Sequence, residues 1–360
     1  MRVYGSKVSY FTGKLESYLR YKGVDYERLP LIPYAKTVRE RVGTTQMPAV
    51  ELGDGRWMSD TTPIIEYLER EYPNAAILPE DPVVRFVGLL IEDYADEWLW
   101  RPAMHYRWSY RHDRELLSGI LTDELLGQLR APRFVKKMLI VRRQRNGFVV
   151  GDGVSASTRS HVEGSYVAAL DNMARMLEHH RFLLGESPSI ADIGLMGPML
   201  RHFGHDPTPA ELMRERTPAV YEWLARMWNA RATTTAPLWT TRPTEDAQPM
   251  LREICETHLV QLAENARAFA GDARRFDVQV QGCAYRNLPV SRYRVWCLEV
   301  LRKRFDALGS QEQVCVKSLL AYPEAEVLWS SERFAPSGYD EACAAPFNRA
   351  INVYADGVPR

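Results

Sequence analysis

The stretch "QMPAVELGDGRWMSD", residues 46–60, decides how the first part of the chain folds. Gly53-Asp54-Gly55 is a strong hairpin signal between two short apolar runs, so the stretch predicts two antiparallel strands. Pro48 stands at the start of the first strand, although proline has no N–H to give to a sheet. The proline therefore marks a point where the backbone leaves the ladder.

The segments around this hairpin alternate strand and helix. Before it, "RVY" predicts a short strand, Thr12–Lys22 a helix, and "GVDYERLPL" a second strand after a stop at Gly23. A polar stretch near Thr37–Val42 can form a helix. After the hairpin, residues 59–61 offer capping oxygens for a helix through "IIEYLEREY". The predicted order is βαβ, then α, then ββα.

The next part of the chain is predicted to be helical. Apolar residues from Val83 to Trp98 recur at helical spacing, with Pro102 expected to end or kink that helix. A second helix is predicted over about Val162–His179. In "FLLGESPSIAD", Ser189 and Asp192 form a Ser-x-x-Asp capping arrangement ahead of an apolar run.

A composition change over Ala232–Pro249 indicates a linker or an embracing loop. Beyond it we expect a helix, a β-hairpin turning near Gly282, two more helices and a tail from Tyr322 with little periodicity. The chain is therefore divided into residues 1–78, 82–231 and 232–360.

The charge composition and the hydrophobic pattern of the chain argue against several kinds of partner. The chain has 46 basic and 46 acidic residues and a formal net charge of zero, so no basic excess predicts binding to nucleic acid or to a membrane. The N-terminus lacks the layout of a secretory signal, and no apolar run approaches the roughly 20 residues that span a bilayer. We expect a cytoplasmic protein.

The cysteines point to no disulfide frame or metal centre. All five lie in the last third of the chain, unevenly spaced and without a CxxC pair: Cys255, Cys283, Cys297, Cys315 and Cys343. An odd count without close pairing is typical of reduced, buried thiols. No metal site is predicted.

The order of elements and three motifs resemble the glutathione S-transferase superfamily. "QMPAVEL" is similar to its segment with a cis proline, "MSDTTPIIEYL" to its segment that binds the γ-glutamyl group, and "FLLGESPSIAD" to its helix-capping motif. The resemblance covers about residues 1–230. It implies an α+β protein: a thioredoxin-like domain (1–78), an all-helical transferase domain (82–231) and a mixed α/β extension (232–360), as in bacterial transferase-like proteins with a long C-terminal extension.

The resemblance also implies a glutathione site. The backbone of Met47, freed by a cis Pro48, would pair with the cysteinyl backbone of glutathione like an added strand. Asp60 and Thr61 would hold the γ-glutamyl end, with the helix N-terminus taking its carboxylate. Asp60 is one methylene shorter than the Glu usual at its position. The alternative is that both residues only cap the helix.

A transferase of this kind keeps the glutathione sulfur as thiolate, whereas a free thiol with a pKa near about 8.5 is only about 3% ionised at pH 7. A hydroxyl at the start of the first helix can stabilise the thiolate. The resemblance aligns Ser9 with the serine that activates the thiol in the family, and Tyr10 with the residue next to that serine. Four other hydroxyls remain alternatives: Tyr4, Ser6, Thr12 and Tyr10 itself. No cysteine lies in the first domain, which argues against mixed-disulfide chemistry.

The second substrate, a small hydrophobic electrophile, would lie between the domains. "EDYADEWLWRPAMHYRWSY" is rich in aromatic residues, and its candidates are Trp98, Arg101, His105 and Trp108. At helical spacing such residues are more often core.

Two alternatives stay open for the whole protein. It is either an enzyme that transfers glutathione to an electrophile, or a non-catalytic binding or scaffolding protein whose extension is a partner surface. A cleft plugged by the extension would favour the second. By family likeness we expect a homodimer formed through the first domain and the long helices, unless the extension covers that surface and enforces a monomer.

Overall fold

The computed structural model describes residues 1–233, 236–243 and 245–338. The first domain is built as the sequence predicts, with a short 3₁₀ turn at Ile32–Tyr34 before its second helix. Its elements are β1 (Arg2–Gly5), α1 (Tyr10–Lys22), β2 (Glu27–Pro30), α2 (Ala35–Val42), β3 (Ala49–Glu51), β4 (Trp57–Ser59) and α3 (Thr61–Glu71).

The four strands form one sheet in the order β2-β1-β3-β4. β1 pairs with β2 in parallel, and the other two pairings are antiparallel. Because side chains alternate along a strand, Val3, Val50 and Met58 join the main core while Tyr4 and Trp57 face the smaller core under α2. The Met47–Pro48 peptide is cis, as predicted. The predicted thioredoxin-like arrangement is confirmed.

Eight helices follow in the described residues. They are α4 (Pro82–Glu97), α5 (Trp100–Ser109), α6 (Arg111–Leu126), α7 (Arg133–Gln144), α8 (Arg159–Met176), α9 (Ile190–Pro198), α10 (Pro207–Arg216) and α11 (Pro218–Asn229). The break before Pro102 falls at Trp98–Leu99, so this proline lies in the first turn of α5, where its missing N–H costs nothing.

The helical hairpin α6–α7 is an element that the sequence pattern did not predict. Of the side chains in α7, only Ile140 is buried, so the helix lacks the apolar stripe by which a core-facing helix is recognised. A wide π-helical turn, Arg145–Val150, leads from α7 back towards the domain.

The start of α9 is held by the predicted capping residues. Asp192 is buried and accepts hydrogen bonds from Ser189 N (2.9 Å), Ser189 Oγ (2.7 Å), Leu183 N (3.0 Å) and Trp223 Nε1 (2.9 Å). Burial raises the pKa of this carboxyl, although all four donors oppose the rise. One carboxylate thus joins α9, the loop before it and α11.

The extension contains the predicted helices and hairpin. Its elements are α12 (Gln248–Glu253), α13 (Val260–Ala270), β5 (Arg275–Val280), β6 (Cys283–Pro289), α14 (Arg292–Asp306) and α15 (Ser310–Leu319). The hairpin turns at Gln281-Gly282, both at positive φ. Part of the tail, Pro323–Leu328, forms a 3₁₀ turn with three buried side chains. The rest of the tail from residue 339, including Cys343, lies outside the described residues.

The extension packs on the first two domains. Arg304 Nη2 lies 2.5 Å from Glu66 Oε1 on α3, and His258 Nε2 lies 2.5 Å from Asp93 Oδ2 on α4. The ring of Phe305 meets that of Phe86 on α4, with centroids 6.1 Å apart. Among the described helices, none is both long and apolar enough to cross a membrane.

We predict that Asp192→Ala lowers the free energy of unfolding by about 3 kcal/mol, because four donors lose their acceptor inside the core. Ser189→Ala should cost about 1 kcal/mol. Urea unfolding of both variants is the measurement. The control is Asp171→Ala, which removes a surface ion pair with Arg216 and should change stability by at most about 1 kcal/mol. Equal losses in all three variants would contradict the assigned role of Asp192.

Candidate active site

A cavity of about 460 Å³ lies where the three parts of the chain meet. Its walls come from the start of α1, the β3 and α3 N-termini, α4 to α6, the turn after α7, and the junction of β6 with α14. A volume of this size is typical of small-molecule sites.

Ser9 is the N-cap of α1 and lines the cavity. Its Oγ accepts a hydrogen bond from Thr12 N at 3.3 Å, so its own proton remains available to donate. The hydroxyl therefore stands at the positive end of a 13-residue helix, where an anion is stabilised.

The other predicted hydroxyls either donate a hydrogen bond to another protein group or do not line the cavity. Tyr10 Oη donates to Ala95 O at 2.5 Å, and burial raises the pKa of this phenol well above its usual value. Tyr4 Oη donates to Glu51 Oε2 at 2.9 Å on the α2 side of the sheet. Ser6 Oγ donates to Glu124 and accepts from Val8 N. The Thr12 hydroxyl is buried and does not line the cavity.

Met47, Pro48, Asp60 and Thr61 line the same cavity as Ser9. No partner for the N–H or C=O of Met47 is found within the described part of the chain. Asp60 is the N-cap of α3, and its Oδ1 accepts from Thr62 N at 3.3 Å. The Thr61 hydroxyl is buried in the first turn of α3, without a hydrogen-bond partner among the described residues. The structure thus brings these predicted residues together.

Asp60 has an unusual protonation equilibrium. Burial raises its pKa to about 7. A hydrogen bond from the Tyr293 side chain and the positive charge of Lys14 both lower this pKa, but by less than burial raises it. The carboxyl therefore changes charge near neutral pH. A bound cation would stabilise its ionised form.

Behind Asp60 lies a buried cluster of charges. Lys14 Nζ lies 2.6 Å from Glu92 Oε1 and 2.5 Å from Asp96 Oδ2, and all three side chains are nearly inaccessible. Burial alone would lower the pKa of Lys14, but the two carboxylates outweigh it and raise that pKa. Thr62 Oγ1 donates to Glu92 at 2.6 Å. The cluster links the first turn of α3 to α4 beneath the cavity.

An apolar wall lines the same cavity as Ser9. Phe11 stacks on Trp100 with centroids 5.8 Å apart, and Phe148 meets Trp100 edge-on at 5.6 Å. Leu121 and Leu125 of α6 extend this wall. Such a surface suits a flat apolar group.

Only one of the four candidates for the second substrate lines the cavity. Trp108 does, whereas Trp98, Arg101 and His105 do not. All three are buried: Trp98 packs edge-on against Tyr285, Arg101 binds Asp152, and His105 lies 3.0 Å from Glu163. The predicted aromatic segment is thus largely core, as its helical spacing allowed.

Family models match nearly all of the first domain and part of the second. Residues 3–76 match the glutathione S-transferase N-terminal domain, and residues 142–226 match the glutathione S-transferase C-terminal domain. The first two domains belong to the glutathione S-transferase superfamily. About 130 residues of the chain lie beyond them.

Solved structures of the superfamily are similar at low identity. A glutathione S-transferase from Rhodospirillum rubrum is 19% identical, covering 69% of this chain and 99% of its own, with a TM-score of 0.42. The beta-etherase LigF from Sphingobium sp. is 22% identical over 63% and 93%, with a TM-score of 0.43. A glutathione S-transferase from Methylobacterium radiotolerans in complex with glutathione sulfonate is 18% identical over 66% and 99%, with a TM-score of 0.38.

The extension adds a wall to this transferase-fold cavity. The segment Pro289–Arg294 lines it, and Tyr293 reaches Asp60. Arg294 is buried and binds Glu97 Oε2 at 3.0 Å, with Asp152 Oδ1 at 3.6 Å. No sequence signal identified these residues, because they lie more than 80 positions from the other wall residues and match no motif.

Among the described residues there is no cysteine in the cavity and no group of side chains that could bind a metal ion. Cys255, Cys283, Cys297 and Cys315 are unpaired, and none lines the cavity. Within residues 1–233, 236–243 and 245–338, no group of three His, Cys, Asp or Glu side chains could hold a metal ion.

We predict a titration of Asp60 centred near pH 7, visible by carbon NMR of its carboxyl and absent in Asp60→Asn. Folding raises this pKa, so wild type should lose stability relative to Asp60→Asn as pH rises from about 4, where the unfolded carboxyl ionises, to about 7. Because the Tyr293 hydrogen bond lowers the pKa, Tyr293→Phe should move the midpoint to higher pH. A midpoint below 5 in wild type would contradict the assignment.

Proposed function

We propose that the protein is a glutathione transferase that binds glutathione in the interdomain cavity and transfers its thiolate to an apolar electrophile. The observation that carries the proposal is the meeting of Ser9, the Met47 backbone and the α3 N-terminus in one cavity. Each offers a different group to a γ-glutamyl tripeptide: a hydroxyl, a strand edge and an anion-binding helix end.

The tripeptide would lie along the first domain. Its cysteinyl backbone would pair with the N–H and C=O of Met47. Its γ-glutamyl carboxylate would accept from the Thr61 hydroxyl and from the amides at the start of α3. Its ammonium group would face Asp60 and hold that carboxyl in the ionised form, lowering its pKa.

Ser9 would hold the thiolate. Since its Oγ already accepts from Thr12 N, its proton can point at the sulfur. Lowering a thiol pKa by two units requires about 2.7 kcal/mol of preferential stabilisation of the thiolate, which one hydroxyl and a helix N-terminus can supply together. The sulfur lone pair would then form a bond to the electrophilic carbon, and the displaced electron pair would leave with the departing group or enter an unsaturated bond.

The electrophile would rest against Phe11, Trp100 and Phe148. This apolar wall supports a hydrophobic second substrate. The alternative of a non-catalytic scaffold predicted a cleft plugged by the extension. The extension instead forms a wall and leaves about 460 Å³ open, which favours the enzyme.

We also propose the division into domains 1–78, 82–231 and 232–360 and a cytoplasmic location. The four described cysteines are unpaired, as in a reducing compartment.

Two-buffer calorimetry with reduced glutathione tests the mechanism, because the difference in heat between buffers counts released protons. Wild type should release most of one proton from the thiol on binding near pH 7, in addition to the protons that leave Asp60. Ser9→Ala should lose the thiol's share of this release and keep that of Asp60. S-methylglutathione has no thiol proton, so its binding measures the contribution of Asp60 alone. Ser6→Ala is the matched control, since the Ser6 hydroxyl lines the cavity but is bound to Glu124.

Absence of binding would reject the glutathione site. Binding with equal proton release for the two ligands would reject thiolate formation and keep only the binding site.

The extension also bears on the oligomeric state. α14 and α15 pack on α4, and Arg304 binds Glu66 on α3, so the extension occupies part of the surface that was expected to form a homodimer. We propose that the protein is a monomer. Light scattering should give the chain mass of 41.3 kDa at all concentrations, and a mass of twice that value would restore the dimer.

A further inference from the structure

The neutral net charge of the chain hides a strongly basic segment. Residues 130–145 carry seven of the 46 basic residues and none of the 46 acidic ones. These cations are Arg130, Arg133, Lys136, Lys137, Arg142, Arg143 and Arg145. The rest of the chain therefore carries a net charge of −7, so the charge is separated in space along the molecule.

Most of these cations have no ion-pair partner among the described residues. Arg133 pairs with Asp123, and Lys136 points to the carbonyl of Gly127. Within the described part of the chain, no hydrogen bond or ion pair engages the others: Arg130, Lys137, Arg142, Arg143 and Arg145. Arg143 lines the cavity, and Lys137 is close enough to Glu115 to lower the pKa of that carboxyl. Arg130, Arg142 and Arg145 are exposed and have no acidic partner among the described residues.

Helix α7, which makes up most of this basic segment, also exposes large apolar side chains. On α7, Phe134 is 73% exposed, Met138 59% and Leu139 46%. Leu129 before the helix is 47% exposed and Val150 after it 62%. Phe134 and Met138 are one turn apart on the face opposite the buried Ile140, and Arg142 and Arg145 continue the same row. Apolar tips and cations thus share one outward face.

We propose that the outward face of α7 docks on an anionic lipid bilayer surface. The combination of protruding Phe, Met and Leu side chains with flanking Arg and Lys is the chemistry of an interfacial helix: the apolar tips enter the acyl boundary while the cations stay with the headgroup phosphates. A nucleic acid would use the cations but leave Met138 and Leu139 in water. If the same face of a second copy of the chain docked here, the seven cations of one segment would repel the seven cations of the other.

The position of α7 in the fold suits such a surface. The hairpin is anchored at its base by Ile140 and by the turn Arg145–Val150, so its outer face can meet a bilayer without unfolding. Arg143, Gln144 and Phe148, at its C-terminal end, also line the cavity. The inference rests on the exposed face alone and is independent of the proposed transferase activity.

Vesicle flotation of the full chain tests the proposal. The protein should float with phosphatidylcholine vesicles that contain phosphatidylglycerol and stay behind with phosphatidylcholine alone, and added salt should release it. Arg142→Gln with Arg145→Gln should weaken binding about 30-fold, at roughly fivefold per charge. Phe134→Ser with Met138→Ser should weaken it at least about tenfold while leaving the charge unchanged.

Matched controls lie on other exposed faces. Lys36→Gln with Arg39→Gln removes two exposed cations from α2, and Val314→Ser with Leu238→Ser removes two exposed apolar side chains. Neither pair should change flotation. Phe134→Trp adds a probe whose emission should shift to the blue only with the anionic vesicles.

Three outcomes would overturn the proposal. The first is no preference for anionic vesicles in wild type. The second is binding to a DNA duplex that Arg142→Gln with Arg145→Gln weakens, without binding to vesicles. The third is a concentration-dependent dimer that Phe134→Ser with Met138→Ser disrupts, which would make this face a contact between two copies.

Discussion

The buried ammonium of Lys14 is the interaction on which the arrangement of the first two domains depends. It leaves α1 and meets Glu92 and Asp96, two carboxylates one turn apart on α4. Removing charged groups from water is costly, and only close, mutual pairing offsets the loss. Burial raises the pKa of Asp96 well above its usual value, and the Lys14 charge opposes that rise. Any relative shift of α1 and α4 would leave a charge unpaired, so the cluster fixes how the thioredoxin-like sheet sits on the helices. Thr62 extends the same cluster into α3.

A second buried group of charges fixes the position of the extension on the first two domains. Arg294 binds Glu97 and approaches Asp152, and Asp152 in turn binds Arg101, whose other nitrogen donates to Gln261. The chain of contacts runs from α14 through α4 and α5 to α13. It anchors the Pro289–Arg294 segment against the cavity, so that Tyr293 reaches Asp60.

The sequence predicted the elements whose signals are local. Gly53-Asp54-Gly55 indicated the β3–β4 hairpin, and Ser189 with Asp192 indicated the start of α9, because turns and caps depend on a few neighbouring residues. Ser9, Met47 and Asp60, which line the cavity, were predicted from the resemblance to the superfamily.

What depends on tertiary packing could not be predicted. In α7 only Ile140 is buried, so this helix has no buried apolar stripe from which it could be predicted. Trp98, Arg101 and His105 recur at helical spacing, but spacing alone does not say whether a buried face meets a core or a cleft. The contribution of Tyr293 depends on a contact across more than 230 residues with Asp60, which no local pattern records.

The wall that the extension gives to the cavity makes ligand binding and folding one equilibrium. A molecule held between Ser9 and Tyr293 touches all three parts of the chain and binds only when all three are in place. By mass action it then stabilises the whole assembly, by about 2.7 kcal/mol at a concentration of 100 times its dissociation constant. Folding of the last third of the chain thus becomes a condition for occupancy of the cavity.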